Sequence, residues 1–194
     1  AGFLQLFKGE DFECFTAGMM AIFNHIQGVP SPLWFDNASI FVTRILKNGG
    51  RNLTDRFLRF QEHFGIQAVF CNPASGHEKG SVESKVGYHR RNLLVPVPEF
   101  SDLETYNQEL LLRCDADNRR IHYKREKPIC NLFQEDVIRF IPLPRIPYHC
   151  GKYLSVRTDA YGKFSLNEGK HHYSTAPKYA KSMVRIRVTA HDVV

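Results

Sequence analysis

Apolar residues recur at helical spacing in two stretches of the first half of the chain. Residues 10–27 form the first stretch, where the repeating apolar side chains are Phe12, Phe15, Met19, Ile22, Phe23 and Ile26. Residues 54–64 form the second stretch, with predicted inward side chains Phe57, Leu58 and Phe60. Gly28 and Gly65 follow these stretches, and glycine commonly ends a helix. The pattern therefore predicts two amphipathic helices.

Short continuous apolar runs predict strands before, between and after these helices. The runs cover residues 3–7, 33–35 and 66–70. Trp34, inside the second run, is most simply a core residue, and Asp36 directly follows that run. The order strand, helix, strand, helix, strand predicts an α/β fold in which helices cover a sheet.

Further helices are predicted beyond this sheet. A polar loop at residues 71–79 leads into a basic helix at residues 80–94, with predicted buried side chains Val82, Val86 and Leu93. Ser101 and Glu104 have the spacing of a capping box and open the next helix. Another helix is predicted over residues 130–140.

The end of the chain has a different pattern. Pro142, Pro144 and Pro147 mark a stiff linker. Short alternating segments follow, separated by turn residues, and they predict a small β-barrel. The predicted domains are a core over residues 1–100, a helical extension with its linker over 101–147, and the barrel over 148–194.

Charge distinguishes the predicted barrel from the rest of the chain. Residues 151–194 hold 8 of the chain's 26 Lys and Arg but 3 of its 20 Asp and Glu, which leaves 18 against 17 for the first 150 residues. This local excess predicts a polyanion as partner, although a solvated basic face would have the same composition. No apolar run approaches the roughly 20 residues of a membrane span, so no membrane partner is expected.

The cysteines and histidines provide little sign of a metal or disulfide scaffold. Five cysteines, an odd number without close pairs, favour a reduced protein in the cytoplasm. The nine histidines form no zinc-binding spacing with each other or with the cysteines. A structural zinc site is therefore not predicted.

Two carboxylates are the candidate catalytic groups. Asp36 lies at the C-terminal end of a predicted strand, where functional groups collect in open α/β sheets. Glu83 is the acidic residue of the basic helix, and the 46 residues between the two allow the fold to bring them together. Two carboxylates without a thiolate suit Mg²⁺ or Mn²⁺. The alternative for Glu83 is an ordinary solvated helix surface.

Basic side chains accompany Glu83. Arg90 lies seven residues further, close to two helical turns, and shares the face of Glu83. Lys79, Lys85 and Arg91 add positive charge. Phosphodiester chemistry needs a metal-binding carboxylate beside phosphate-binding cations, although any basic amphipathic helix shows this pattern. Sequence-independent phosphate contact is also predicted for cations of the tail: Lys163, Lys170, Lys178, Lys181, Arg185 and Arg187.

A longer run of motifs carries a family resemblance. The motif FDN at residues 35–37 is followed by FQEHFGIQAVFCNPASGHEKGSVESKVGYHRRNLLVPVP at residues 60–98. Together they resemble the integrase core of IstA-type transposases of bacterial insertion sequences, in the superfamily that includes retroviral integrases. The likeness covers about residues 1–145 closely and the predicted barrel more loosely.

The resemblance implies a ribonuclease H-like fold with an Asp-Asp-Glu metal triad. Asp36 matches the second triad carboxylate and Glu83 the third, and Asn37 follows Asp36 as in the family. Gly76 and Gly80 are expected to let the loop backbone approach metal or DNA. The first aspartate is expected upstream of residue 1, so the chain is expected to be an N-terminally truncated and inactive fragment.

The resemblance also implies the activity and its partners. These are metal-dependent 3′-end cleavage and strand transfer by a homo-oligomer on transposon ends and target DNA, with an ATPase helper protein from the same element. The location would be the bacterial cytoplasm, on the nucleoid when DNA is bound. Two alternatives remain: a catalytically dead DNA-binding or scaffold remnant, and a nuclease of the same fold.

Overall fold

The chain divides into two compact units, residues 1–148 and residues 149–194. The structure is a computed structural model that describes residues 1–47, 49–71 and 76–194, with the backbone alone for residues 76–82. Within these described residues, no helix is both long and apolar enough to cross a membrane.

The two amphipathic helices of the first unit form as predicted. Helix α1 spans Phe12–Ile26, and the side chain of Asp11 caps its first turn. Its last turn closes at Gln27, which has the left-handed conformation with φ of 57°. Helix α2 spans Asp55–Phe64 and ends at Gly65, whose φ of 66° is a conformation that glycine adopts at low cost.

The strands of the first unit form two small sheets. Strand β1 (Leu33–Phe35) pairs in parallel with β4 (Ala68–Phe70), in the order that the apolar runs predict. Between them, β2 (Val42–Ile45) and β3 (Arg51–Leu53) form an antiparallel hairpin that the sequence analysis did not predict. The first unit is therefore a mixed α/β structure.

Phenylalanine side chains dominate the core of the first unit. Phe15 lies 4.7 Å from Phe41 between ring centroids, and Phe41 lies 4.9 Å from Phe57. These contacts join α1, the segment before β2, and α2. Phe35 of β1 contacts Phe15 and Phe57 and so connects the strand to both helices. The buried members of this cluster are Phe12, Phe23, Val29, Phe35, Phe41, Val42, Phe57, Phe60, Phe64 and Ile66.

Three residues predicted to be buried are exposed. Trp34 is 61% exposed because its strand neighbour Phe35 occupies the inward side, and successive side chains of a strand point to opposite faces. Leu58 is 46% exposed, since adjacent helical residues point about 100° apart and Phe57 takes the buried position. Val86 is 43% exposed.

The predicted strand at residues 3–7 does not form. This segment is half-buried, but the backbone of Leu6 pairs with a side chain instead of with a strand. The backbone N–H of Leu6 donates to Oδ1 of Asn107 at 2.8 Å, and Nδ2 of Asn107 donates back to the Leu6 carbonyl at 2.8 Å. Because a side-chain amide satisfies both backbone groups of Leu6, no ladder is needed.

Helix α3 (Gly76–Leu93) begins earlier than predicted. Gly76, expected in the loop, and Gly80, expected at the start of the helix, both lie in this helix, and the predicted loop residues 72–75 lie outside the described part of the chain. Lys79 and Val82 lie on α3, but their side chains also fall outside the description.

Two more helices complete the first unit. Helix α4 spans Leu103–Asp117, and its cap is Asp102 instead of Ser101, with Asp102 Oδ2 accepting from the Thr105 N–H at 2.7 Å. Helix α5 spans Ile129–Val137. Both predicted helices are present with small shifts of their ends.

The second unit contains strands but no closed barrel. All of residues 149–194 are described, and their named strands form two separate antiparallel pairs. Strand β5 (Lys152–Arg157) pairs with β8 (Met183–Val188), and β6 (Lys163–Leu166) pairs with β7 (His171–Ser174). The prediction of a closed barrel is wrong, because no hydrogen-bonded ladder joins the two strand pairs.

Candidate active site and nucleic-acid surfaces

Asp36 occupies the predicted position at the C-terminal end of β1. The Phe35 ring anchors the strand in the core, and the next side chain, that of Asp36, is exposed to solvent. Its Oδ1 accepts a hydrogen bond from the backbone N–H of Ala38 at 3.2 Å. The strand therefore presents a carboxylate at its end, with one oxygen held by the following turn.

A polar bracket that the sequence analysis missed ties together the ends of β1 and β4. Asn37 Nδ2 donates to the Cys71 carbonyl at 2.9 Å, and Arg51 Nη2 donates to the same carbonyl at 2.7 Å. Arg51 Nε also donates to Asn37 Oδ1 at 2.7 Å. The bracket fixes the backbone directly beside Asp36. In the sequence, the Gly49-Gly50 pair marks a turn, and that turn could have predicted the hairpin that carries Arg51.

Glu83 and Arg90 lie on one exposed face of α3. Both side chains are exposed, as is Val86 between them. At 100° per residue, seven residues return to within about 20° of the starting direction. A carboxylate and a guanidinium thus face solvent together on this helix.

Lys85 and Arg91 have different surroundings from Arg90. Lys85 is half-buried, with its Nζ 5.2 Å from the centroid of the Tyr88 ring. Burial lowers the pKa of Lys85, and the charge of Arg120 lowers it further. Arg91 is exposed, and its guanidinium lies over the backbone of Gly87. DNA contact by Lys85, Arg90 and Arg91 stays a prediction.

The fit of a divalent metal can be judged from the donor set. Asp36 and Glu83 are exposed carboxylates, whose oxygens are the ligands that Mg²⁺ and Mn²⁺ prefer. In the described part of the chain, no group of three or more His, Cys, Asp or Glu side chains is placed to hold one metal ion. The chain therefore offers two suitable oxygen donors but no complete described site.

The second unit presents a basic face on the β5–β8 pair. Residues directly opposite each other in an antiparallel pair share a face, and the register aligns Tyr153 with Arg187 and Ser155 with Arg185. Arg157, aligned with Met183, belongs to the same face. The opposite face carries the buried Ile186. We call Tyr153, Arg157, Arg185 and Arg187 the arginine face.

Aromatic contacts order this arginine face. The guanidinium of Arg185 lies 4.8 Å from the Tyr153 ring centroid, and the His149 ring stacks on Tyr153 at 5.6 Å. Arg157 and Arg185 are exposed, and Arg187 is half-buried. Arg157 was not among the predicted DNA-binding residues, although the alternation of strand residues from Tyr153 places it on the same face. The other predicted cations of this unit, Lys163, Lys170, Lys178 and Lys181, are also exposed.

Comparison with curated proteins finds relatives of a single kind. A transposase of Aminobacter aminovorans is 32% identical over 119 residues, which are 61% of this chain and 23% of the relative. The transposases for insertion sequences IS1326/IS1353 of Pseudomonas aeruginosa and Shigella flexneri are each 26% identical over 168 residues, 86% of this chain and 32% of the relative. The chain is similar to transposases. No family model matches it.

The similarity covers only part of each relative. The chain spans less than a third of the length of these transposases. The resemblance to transposases that the sequence motifs indicate is confirmed at this level.

Proposed function

We propose that this chain belongs to a DNA transposase of the IstA type, with a ribonuclease H-like core of the Asp-Asp-Glu class. The observation that carries the proposal is the 26–32% identity to transposases over 61–86% of the chain. The exposed carboxylate at the end of β1 and the exposed Glu83 on α3 support it. DNA, as transposon ends and target, is the proposed substrate.

Asp36 and Glu83 are the proposed holders of Mg²⁺ or Mn²⁺, together with a third carboxylate that the described residues do not supply. When bound, such ions activate water and stabilise charge on the attacking and leaving oxygens of a phosphodiester. Arg90, on the face of Glu83, would bind a phosphate and orient the DNA strand. The Asn37–Arg51–Cys71 bracket would keep the Asp36 backbone in place during both cleavage and joining.

Assembly and location follow from the same proposal. The family resemblance implies that two transposon ends are joined to one target, and we propose a homo-oligomer on DNA, aided by an ATPase helper of the same element. The arginine face and the exposed lysines of the second unit would contact phosphates without reading sequence. The proposed location is the bacterial cytoplasm, on the nucleoid.

The deciding experiment measures Mg²⁺-dependent cleavage and joining of labelled transposon-end DNA by the intact protein. We expect Glu83→Gln and Asp36→Asn to lower joining about 100-fold or more, since each removes a charged metal ligand. Glu62→Gln, at an exposed position of α2, is the matched control and should join at the wild-type rate.

Other outcomes identify the alternatives. Cleavage without joined product would indicate a nuclease of the same fold. DNA binding without cleavage, even with the ATPase helper added, would indicate a binding or scaffold remnant. Wild-type joining by the Glu83→Gln variant would contradict the proposed triad.

A further inference from the structure

The face of α3 opposite Glu83 is buried, and it carries polar side chains. His89 is 4% exposed, and Lys85 and Tyr88 are half-buried. At 100° per residue, Tyr88 points about 140° away from Glu83, and Lys85 about 160° away. The exposed Glu83 and this polar face therefore lie on opposite sides of one rigid helix.

Tyr88 contacts three charged residues. Its hydroxyl donates to Asp117 Oδ1, at the end of α4, over 2.5 Å. The Arg120 guanidinium lies 4.5 Å from the Tyr88 ring centroid, and the Lys85 ammonium lies 5.2 Å from it. Asp117 also pairs with Arg120, with 3.3 Å between Oδ2 and Nε. We call Lys85, Tyr88, Asp117 and Arg120 the Tyr88 cluster.

The protonation states in the Tyr88 cluster suit a strong hydrogen bond. The bond to Asp117 raises the pKa of Tyr88, and burial raises it further. Burial alone would raise the pKa of Asp117, but the hydrogen bonds from Tyr88 and Arg120 bring it below its usual value. Around neutral pH the phenol therefore keeps its proton and the carboxylate its charge, and charge-assisted bonds of this kind are roughly twice as strong as neutral ones.

Such a contact sets the rotation of α3 about its own axis. Side chains extend about 5–6 Å from a helix axis, so a 20° rotation moves a side chain such as Glu83 by roughly 2 Å. A displacement of about 1 Å at a catalytic group can cost about 100-fold in rate. The cluster is also remote from the exposed face, so it can affect Glu83 through the helix backbone alone.

We propose that the Tyr88 cluster positions Glu83 for metal binding by fixing the rotation of α3 against the end of α4. The inference rests on the proposed function, in which Glu83 is a metal ligand. Tyr88 is a positioning residue and does not touch DNA or metal. Its hydroxyl bond to Asp117 is the contact that determines the orientation.

The test replaces Tyr88 by Phe in the intact protein, which removes one hydroxyl and keeps the ring in contact with Lys85 and Arg120. We expect the joining rate at saturating DNA to fall about 10-fold or more. The Mn²⁺ concentration for half-maximal rate should rise several-fold while the KM for DNA stays unchanged. Asp117→Asn keeps an acceptor but loses the charge, so it should be intermediate.

The matched control is Tyr123→Phe, at a tyrosine that is 79% exposed. It should change neither the joining rate nor the Mn²⁺ concentration for half-maximal rate. A second readout needs no activity: amide hydrogen exchange in α3, which should quicken in Tyr88→Phe and not in the control. If the wild type joins no DNA, the proposed function fails, and this exchange still decides the positioning role. Unchanged exchange in α3, or an unchanged requirement for Mn²⁺, would overturn the proposal.

Discussion

The polar side chains of the first unit derive their roles from partners far along the chain. Asp36 could be found from its own neighbours, because an acidic residue after an apolar run marks a strand end. Arg51 could not, since its bonds to Asn37 and Cys71 span 14 and 20 residues. His89 is a third case: its burial against Gly2 depends on a segment at the other end of the first unit.

His89 makes the folding stability of the first unit dependent on pH. Its ring nitrogens have no hydrogen-bond partner among the described residues. Burial lowers the pKa of His89, and the nearby charge of Lys85 lowers it further. The charge of Asp117 raises this pKa, and that of Arg120 lowers it. The unfolded chain therefore binds a proton more readily than the folded chain. This contribution to stability is full above the unfolded pKa of 6.5 and is lost as the pH falls below it.

We accordingly expect the melting temperature of the chain to drop between about pH 7.5 and about pH 5.5. Circular dichroism of the helices measures this, because all five described α-helices lie in the first unit. His89→Phe, which cannot be protonated, should flatten the pH dependence. His171→Gln, at an exposed position of the second unit, should leave the pH dependence of the melting temperature as in the wild type. The same pH dependence in all three proteins would refute the assignment to His89.

At the scale of elements, periodicity identified the helices better than it identified their buried faces. The helix containing Glu83 was predicted with Val82 and Val86 inward, yet Val86 is exposed and His89 is buried. Apolar character alone was a poor guide to this face, because its buried side is lined by Tyr88, whose hydroxyl bonds to Asp117, and by His89. In α2, the neighbours Phe57 and Leu58 were both expected inward, and only Phe57 is.

This difference within α2 predicts unequal effects of truncation. Phe57 is 0% exposed, so Phe57→Ala should lower the free energy of unfolding by about 3–5 kcal/mol. Leu58→Ala, at the 46% exposed neighbour, should cost under about 1 kcal/mol. Urea unfolding followed by circular dichroism measures both, and similar losses at the two positions would contradict the assigned face of α2.

At the scale of the whole molecule, charge and fold divide the chain at nearly the same place. The second unit covers residues 149–194, and the basic excess begins at about residue 151. Its arginine face is formed by pairing two strands that are about 30 residues apart in sequence. The composition thus predicted a polyanion partner, and the register of β5 and β8 chose which arginines stand together.

The arginine face predicts a salt-dependent affinity for DNA. If Arg185 contacts a phosphate, Arg185→Ala should weaken binding similarly for all DNA sequences and reduce the slope of log affinity against log salt by about 1. Ser165→Ala, at an exposed uncharged position on β6 of the same unit, is the control and should leave the slope unchanged. Fluorescence anisotropy with labelled duplexes measures the slope, and equal slopes for the two variants would argue against the arginine face.

The sequence alone determined the helices, most strands, Asp36 at a strand end, and the likeness to transposases, because these depend on local periodicity and on contiguous motifs. Tertiary structure decided the burial of polar residues on α3, the bracket beside Asp36, the docking of residues 3–7 by Asn107, and the open pairing of the last strands. Each of these needs groups that are distant in sequence to meet. Local propensity cannot specify such meetings, since their free energy comes from desolvation and hydrogen bonds formed only in the folded chain.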